Sequence, residues 1–131
     1  KGIGFFRYVG RELAVQRTDI TDRPTAEDAA SLVDDLMARF VAGSLDAVYV
    51  IHANFRSAMS TPPATLQVLP VQPPAPREGA GAIGVQRDYL LLPSAEEILT
   101  ELLPSYVRNT VYRALAETAA AEQGARRTAM K

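Results

Sequence analysis

The last third of the chain carries a regular pattern of small and apolar residues, which dictates a long helix with a partner. Seven positions recur at alternating spacings of four and three: Val107, Val111, Ala114, Thr118, Ala121, Ala125 and Thr128. This is the heptad seam of a coiled coil, sustained over about three repeats. Small side chains let two helix axes come close but bury little area. The pattern therefore predicts a helix that packs against a neighbour outside this sequence.

The start of this helix is marked at Ser94, since Ser94 and Glu97 are spaced as a capping box. Pro104 follows within the first apolar turns. A proline at that place removes one backbone hydrogen bond and clashes with the preceding turn, so we predict a kink or a restart there. From Pro104 to Lys131 a continuous helix would be about 40 Å long.

The residues before Ser94 alternate between helix and strand signals. Ala47 to Ile51 are apolar on both faces, as in a central strand covered by helices on each side. A strand, a helix and a strand in succession imply a right-handed crossover and an α/β fold. The predicted elements are a short helix over 3–9 closed by Gly10, a strand over 12–18, a helix capped by Thr25 and stopped by Gly43, and strands over 46–55, 66–71 and 86–92, with a loop over 72–84.

Composition and charge exclude several classes of protein. Fourteen basic and fifteen acidic residues give a net charge of −1, so the positive field of a nucleic-acid-binding protein is missing. With no cysteine and a single histidine, the sequence offers no disulfide, thiolate nucleophile, Cys-ligated zinc or imidazole cluster. No apolar run reaches the roughly 18 residues that span a bilayer, and no signal peptide is present. We expect one soluble domain.

Three local motifs suggest function but fit structural roles better. Gly79 to Gly84 matches the letters G-x-G-x-x-G, yet a proline-rich loop precedes it and a predicted strand follows, the reverse of a dinucleotide site. Pro73 to Arg77 resembles a polyproline ligand, but such runs also serve as stiff connectors. His52 is predicted to be a hydrogen-bonded structural histidine at the sheet edge. The sequence also has no Walker-type phosphate loop, so no catalytic residue and no cofactor is predicted.

Charged residues on the far side of the terminal helix leave two readings open. Glu122 and Arg126 have the favourable spacing of a helical ion pair, and Arg127 follows them. They are either solvated charges or a surface that meets an acidic partner.

Four short sequence motifs, taken in order along the chain, resemble those of one protein family. They are Lys1-Gly2 with Phe5-Phe6; Asp22-Arg23-Pro24-Thr25; Asn54-Phe55 with Met59-Ser60, Pro63 and Val68-Leu69-Pro70; and Tyr106-Val107, Val111-Tyr112, Ala120 to Arg126 and Ala129-Met130-Lys131. The fourth is the most specific, and together they cover nearly the whole chain. On these residues the sequence resembles the gamma subunit of rotary F-type ATP synthases, the central shaft of that machine.

The resemblance implies a middle α/β domain over residues 1–93, Rossmann-like and three-layered with a partial sheet, and the lower part of a C-terminal coiled-coil shaft helix over 94–131. It implies a non-catalytic rotor subunit without a cofactor. Such a subunit transmits torque between the membrane ring and the catalytic hexamer, and so couples ion translocation to ATP synthesis or hydrolysis. The implied site residues are hexamer contacts at Glu122, Arg126 and Met130 and a ring contact at Tyr89.

The partners implied by the resemblance are the catalytic alpha/beta hexamer, an epsilon-type subunit and the membrane c-ring. The expected location is peripheral, on the cytoplasmic side of the bacterial inner membrane, with the membrane reached through partners. The resemblance also implies that the N-terminal helix pairing with the seam, the first strands of the sheet and the tip of the C-terminal helix are missing. Independently, Lys1 is not a methionine and Lys131 lies inside a predicted helix. We therefore expect a piece of a longer protein.

Departures from the family pattern leave a divergent form of the subunit open. Ala121 stands where the family usually has Ser, Arg127 where it often has Met, and Thr61-Pro62 where a Gln-containing pair is common. Two other functions also stay open: a fragment of an α/β nucleotide-binding enzyme whose active residues lie elsewhere, and a coiled-coil adaptor. Binding of ATP or NAD by the domain would favour the first, and a full chain without a second shaft helix would favour the second.

Overall fold

The computed structural model of the protein describes residues 2–20, 22–72 and 94–130. Within these ranges the elements are helix α1 (Gly2–Tyr8), helix α2 (Ala26–Val41), strand β1 (Val48–Ala53), strand β2 (Pro63–Leu69) and helix α3 (Ala95–Ala129). Helices combined with a small sheet and a long C-terminal helix agree with the α/β class. The predicted strand over 86–92, most of the predicted loop over 72–84, and Tyr89 lie outside the described residues.

Helix α2 forms where the local signals place it. The Thr25 hydroxyl accepts from the Asp28 backbone N–H at 3.2 Å, and the Asp28 carboxylate accepts from the Thr25 backbone N–H at 2.9 Å. This reciprocal pair is a capping box, which satisfies two backbone donors at the helix start. After the helix, Gly43 adopts a φ of 75°, a conformation that glycine enters without steric cost. The predicted helix boundaries are confirmed.

The sheet differs from the predicted one. β1 and β2 pair antiparallel, with His52 opposite Ala64 and Val50 opposite Leu66. Residues 54–62 join the two strands directly, and a connection this short can reverse the chain but cannot make a parallel crossover. The predicted right-handed crossover runs from a strand over 12–18 through α2 to β1, and it is wrong because residues 12–18 form no strand.

The strand prediction for residues 12–18 is also wrong. Residues 12–18 form no strand, because the described residues provide no strand beside them, and Arg17 instead ties the segment to the Asp19 carboxylate at 2.8 Å and to the Ser31 hydroxyl of α2. β1 is covered on one face within the described residues, whereas its other face leaves Tyr49 and Ile51 exposed. The predicted cover of β1 by helices on both faces therefore stays a prediction.

Helix α3 runs through Pro104 without a break. The Ser94 hydroxyl accepts from the Glu97 backbone N–H at 3.2 Å, which confirms the predicted start. Proline inside a helix costs about 3 kcal/mol. Burial of Val107 and Val111 just beyond it offsets this cost, since burying one such side chain contributes roughly 1.5–3 kcal/mol. The predicted restart at Pro104 is therefore wrong.

The core lies where α2, β2 and the middle of α3 meet. Its buried members are Ala29, Val33, Val68, Leu69, Val107 and Val111. At its edge, the Arg108 guanidinium donates to both carboxylate oxygens of Asp34, at 2.8 and 3.0 Å, which links α3 to α2. The domain thus holds the helix from the region of Val107 to Leu115, and the rest of α3 extends beyond this core.

Candidate functional site

The predicted seam is divided into a covered part and an uncovered part. Val107, Val111, Ala114 and Ala121 are each at most 6% exposed. Thr118, Ala125 and Thr128 are exposed. The buried valines pack in the core with α2 and β2, so the first part of the seam is satisfied inside this chain. The uncovered part is the surface that the heptad pattern assigns to another helix.

A segment from β1 into the following turn lies along the lower half of α3. His52 and Ala53 are placed beside Glu117 and Thr118. Farther along, Phe55 and Ala58 approach Gly124, and the Thr128 hydroxyl donates to the Ala58 carbonyl at 3.3 Å. Sequence reasoning missed this packing. The available signal was Gly124, a glycine inside a helix, where the residue is unfavourable without a packing reason.

His52, Glu117 and Arg113 form a small polar cluster between β1 and α3. The His52 Nε2 lies 3.2 Å from Glu117 Oε2, and the Arg113 Nε donates to Glu117 Oε1 at 2.8 Å. The Arg113 hydrogen bond, with a smaller contribution from His52, lowers the pKa of the Glu117 carboxyl. The His52 side chain is 11% exposed. The prediction of a hydrogen-bonded structural histidine is confirmed.

Arg126, a predicted partner contact, is engaged by its own chain. It donates to Glu122 Oε1 at 2.6 Å, and its other terminal nitrogen lies 3.6 Å from Asp22 Oδ2. Gln123 donates to the same Asp22 oxygen at 2.8 Å. These contacts tie α3 to the segment before α2. The ion pair expected between Glu122 and Arg126 is present.

The remaining predicted contacts are at the end of α3 or outside the described ranges. Met130 is 82% exposed just after α3 ends. Tyr89 belongs to residues that the structure does not describe. The structure therefore places Glu122 and Arg126 on the last turns of α3 and Met130 at its C-terminal cap, and the position of Tyr89 stays a prediction.

An open groove of about 1420 Å³ lies between the end of α2, the end of β2 and the first turns of α3. Met37, Phe40 and Leu103 contribute apolar surface to it. Its charged members, Asp34 and Arg108, bind each other. The groove offers contact area but no arrangement for catalysis.

In residues 2–20, 22–72 and 94–130 no cluster of three or more His, Cys, Asp or Glu side chains is placed to hold a metal ion. In the same ranges none of the helices combines the length and the hydrophobicity that a bilayer span requires.

Comparison with known proteins identifies the family. A family model described as ATP synthase matches residues 1–131. A protein of Gemmatimonas aurantiaca named ATP synthase gamma chain is 65% identical over 132 residues, which cover 100% of this chain and 44% of that protein. Gamma chains of Frankia casuarinae and Moorella thermoacetica are 37% and 39% identical, over 100% and 99% of this chain and 45% and 44% of theirs. The chain thus spans less than half the length of the curated relatives that it matches. Since the family model covers every residue, this chain belongs to the family that the model describes as ATP synthase.

Proposed function

We propose that this chain is the α/β domain and lower shaft of the rotor subunit of an F-type ATP synthase. The subunit is non-catalytic and transmits torque between the membrane ring and the catalytic hexamer. In this way it couples ion translocation to ATP synthesis or hydrolysis. Support comes from the family membership, from the relatives named ATP synthase gamma chain, and from the absence of a phosphate loop in the sequence.

One observation carries this proposal: α3 is a single helix of 35 residues whose seam is buried at its middle and exposed toward its end. At 1.5 Å per residue its length is roughly 50 Å. A helix anchored in a domain at one part and free along a heptad face at another can join a second helix outside the domain. This arrangement is what a shaft between two partners requires.

The hexamer contact is assigned to the last turns of α3. Glu122, Arg126 and Met130 lie there, with Arg126 held in place by Glu122 and Asp22. Arg126 has 46% of its side chain exposed, so it can meet an acidic partner surface while keeping its internal pairs. In the exposed part of the seam, Ala125 would face the second shaft helix directly, and Thr118 and Thr128, whose hydroxyls contact Ala53 and Ala58 of this chain, would border that contact.

The other contacts belong to the membrane-proximal end. Tyr89 is assigned to the c-ring contact, and an epsilon-type subunit is the third partner. The complex would sit on the cytoplasmic side of the bacterial inner membrane, which this chain reaches through its partners. We assign residues 1–93 to the α/β domain and 94–131 to the shaft helix. In the complete subunit further strands would extend the β1–β2 sheet into a Rossmann-like, three-layered domain, with the exposed face at Tyr49 and Ile51 covered.

The test is Arg126→Glu in the full-length subunit, assembled with its partners in vesicles. We expect ATP-driven ion pumping to fall sharply. We also expect the free energy of unfolding of the subunit to change by about 1 kcal/mol or less, since exposed pairs contribute little. The matched control is Arg39→Glu, an exposed arginine of α2 whose nearest carboxylate, Asp35, is 3.9 Å away. Normal pumping by the Arg126 variant would remove the hexamer assignment, and failure of the unmodified subunit to support pumping would remove the proposed function.

A further inference from the structure

We propose that residues 52–58, from the end of β1 into the turn, form a brace that transmits load between the α/β domain and the lower half of α3. This inference rests on the proposed rotor function, because it names the element through which torque on the helix reaches the domain. The brace consists of His52, Ala53, Phe55 and Ala58 and their contacts on α3.

The contacts of the brace advance along the helix in step with the chain. His52 meets Glu117 at 3.2 Å, and the Ala53 backbone N–H donates to the Thr118 hydroxyl at 3.4 Å. The later brace residues meet later helix residues: Phe55 and Ala58 lie against Gly124, and Ala58 accepts from Thr128. From Glu117 to Thr128 the helix rises roughly 16 Å. The brace therefore supports three turns of helix rather than one point.

These turns lie beyond the region that the core holds. On α3 the core cluster and the side chains packed against it end at Leu115, and farther along the described part of the helix only Ala121 is buried. Farther along α3, in the described part of the chain, the hydrogen bonds from other elements come from the brace and from Asp22. A sideways force on the end of α3 would otherwise peel this part of the helix away from the domain.

At Gly124 the turn leaves little room for a side chain on the helix. A Cβ at this position would lie 3.3 Å from the Ala58 Cα and 3.3 Å from the Phe55 Cε2. The glycine lets backbone meet backbone, and a main-chain contact yields less under load than a flexible side chain. Thr128 adds to it, because its hydroxyl lies within hydrogen-bonding distance of both the Ala58 and the Gly124 carbonyl oxygens.

The turn is also stabilised by its own backbone hydrogen bonds, which an element that transmits force requires. Ser57 and Ser60 exchange backbone hydrogen bonds at 3.1 Å, and the Arg56 backbone N–H donates to the Ser60 carbonyl at 3.1 Å. At the base of the turn, the Asn54 backbone N–H donates to the Pro62 carbonyl at 2.9 Å. The turn thus holds its shape through its own hydrogen bonds.

The experiment displaces the brace with Gly124→Leu in the full-length subunit, assembled with its partners in vesicles. We expect ATP hydrolysis to continue while ATP-driven ion pumping is lost. Hydrogen exchange at the Ala53 amide should become about tenfold faster, since this amide loses its place beside Thr118. The matched control is Gly4→Leu, a helical glycine of α1 with open space where its Cβ would be, and it should keep pumping and exchange unchanged.

A second arm keeps the test decisive if Gly124→Leu folds poorly. The pair Ala58→Cys with Thr128→Cys, closed by a short thiol cross-linker, ties the brace to α3; this chain contains no cysteine of its own. In the Gly124→Leu background the closed cross-link should restore pumping. Pumping that persists in Gly124→Leu despite faster exchange at Ala53, or a closed cross-link that restores none, would overturn the brace. Both results would leave the rotor function standing, since that function fails only if the unmodified subunit supports no pumping.

Discussion

The Phe55 ring lies against Gly124, and a Cβ at Gly124 would come within 3.3 Å of its Cε2 carbon. Two effects of a methyl group compete there. Alanine is a better helix former than glycine by about 1 kcal/mol. An alanine Cβ at position 124 would, however, lie closer to Phe55 and to the Ala58 backbone than ordinary van der Waals packing allows. We expect Gly4→Ala, where the added methyl group lies in open space, to raise the free energy of unfolding. We expect Gly124→Ala not to raise it. Urea unfolding of both variants measures the difference, and an equal gain in stability would show that the turn yields easily.

Ala121 and Ala125, two neighbouring positions of the seam, should respond differently to substitution by leucine. Ala121 is 4% exposed within this chain, so Ala121→Leu is expected to overpack the domain and lower the free energy of unfolding by about 1–3 kcal/mol. Ala125 is exposed, so Ala125→Leu should leave the stability of the α/β domain unchanged and impair pairing with the proposed second shaft helix. Thermal unfolding and assembly with the partner subunits separate the two effects. Equal destabilisation by both substitutions would contradict the division of the seam.

Acid should weaken the attachment of the 11–20 segment to α2. The Arg17 hydrogen bond is the main cause that lowers the pKa of Asp19 from 3.8 to about 2, and hydrogen bonds from Thr25 lower the pKa of Asp28. Because a depressed carboxyl pKa stabilises the folded state above the unfolded value, this stability is present at neutral pH and is lost between about pH 4 and pH 2.

The measurement is the urea midpoint from pH 7 down to pH 2. Arg17→Gln should flatten the loss below pH 4, whereas the control Arg39→Gln should retain the slope of the parent protein. A slope unaffected by Arg17→Gln would show that the Arg17–Asp19 pair does not contribute to acid sensitivity.

The parts of the fold that the sequence predicts well are those with local causes. Thr25, Gly43 and Ser94 mark helix ends through their own backbone and side-chain chemistry, and each end forms at its predicted position, although at Ser94 the structure gives only the hydroxyl half of the predicted capping box. The strand predicted over 12–18 failed because a strand needs a neighbour, and no propensity within the segment reveals whether one exists. The predicted restart of the helix at Pro104 failed for the opposite reason. Burial of side chains beyond Pro104 outweighed the free-energy cost of a proline inside the helix.

In the candidate site, too, the features with local causes could be predicted from the sequence, and those that depend on long-range contacts could not. The heptad spacing identified the seam but could not show that Val107 and Val111 pack inside the domain, because apolar spacing is the same for either partner. The turn on Gly124 depends on contacts between residues about seventy positions apart. No periodicity in the sequence encodes that approach.

The burial of Val107 and Val111 in the domain also fixes the rotational phase of everything that follows them on α3. Each residue turns an α-helix by about 100°, so the direction that Ala125 and Arg126 face is counted from those two valines. Deleting one residue between Leu115 and Ala121 would leave Val107 and Val111 in place but rotate everything after the deletion by about 100° around the axis, which takes Ala121 out of its buried position and redirects the exposed seam. The number of residues between Leu115 and Ala121 therefore sets the direction that the end of α3 faces. A helix anchored this way tolerates substitutions in that segment more readily than insertions or deletions.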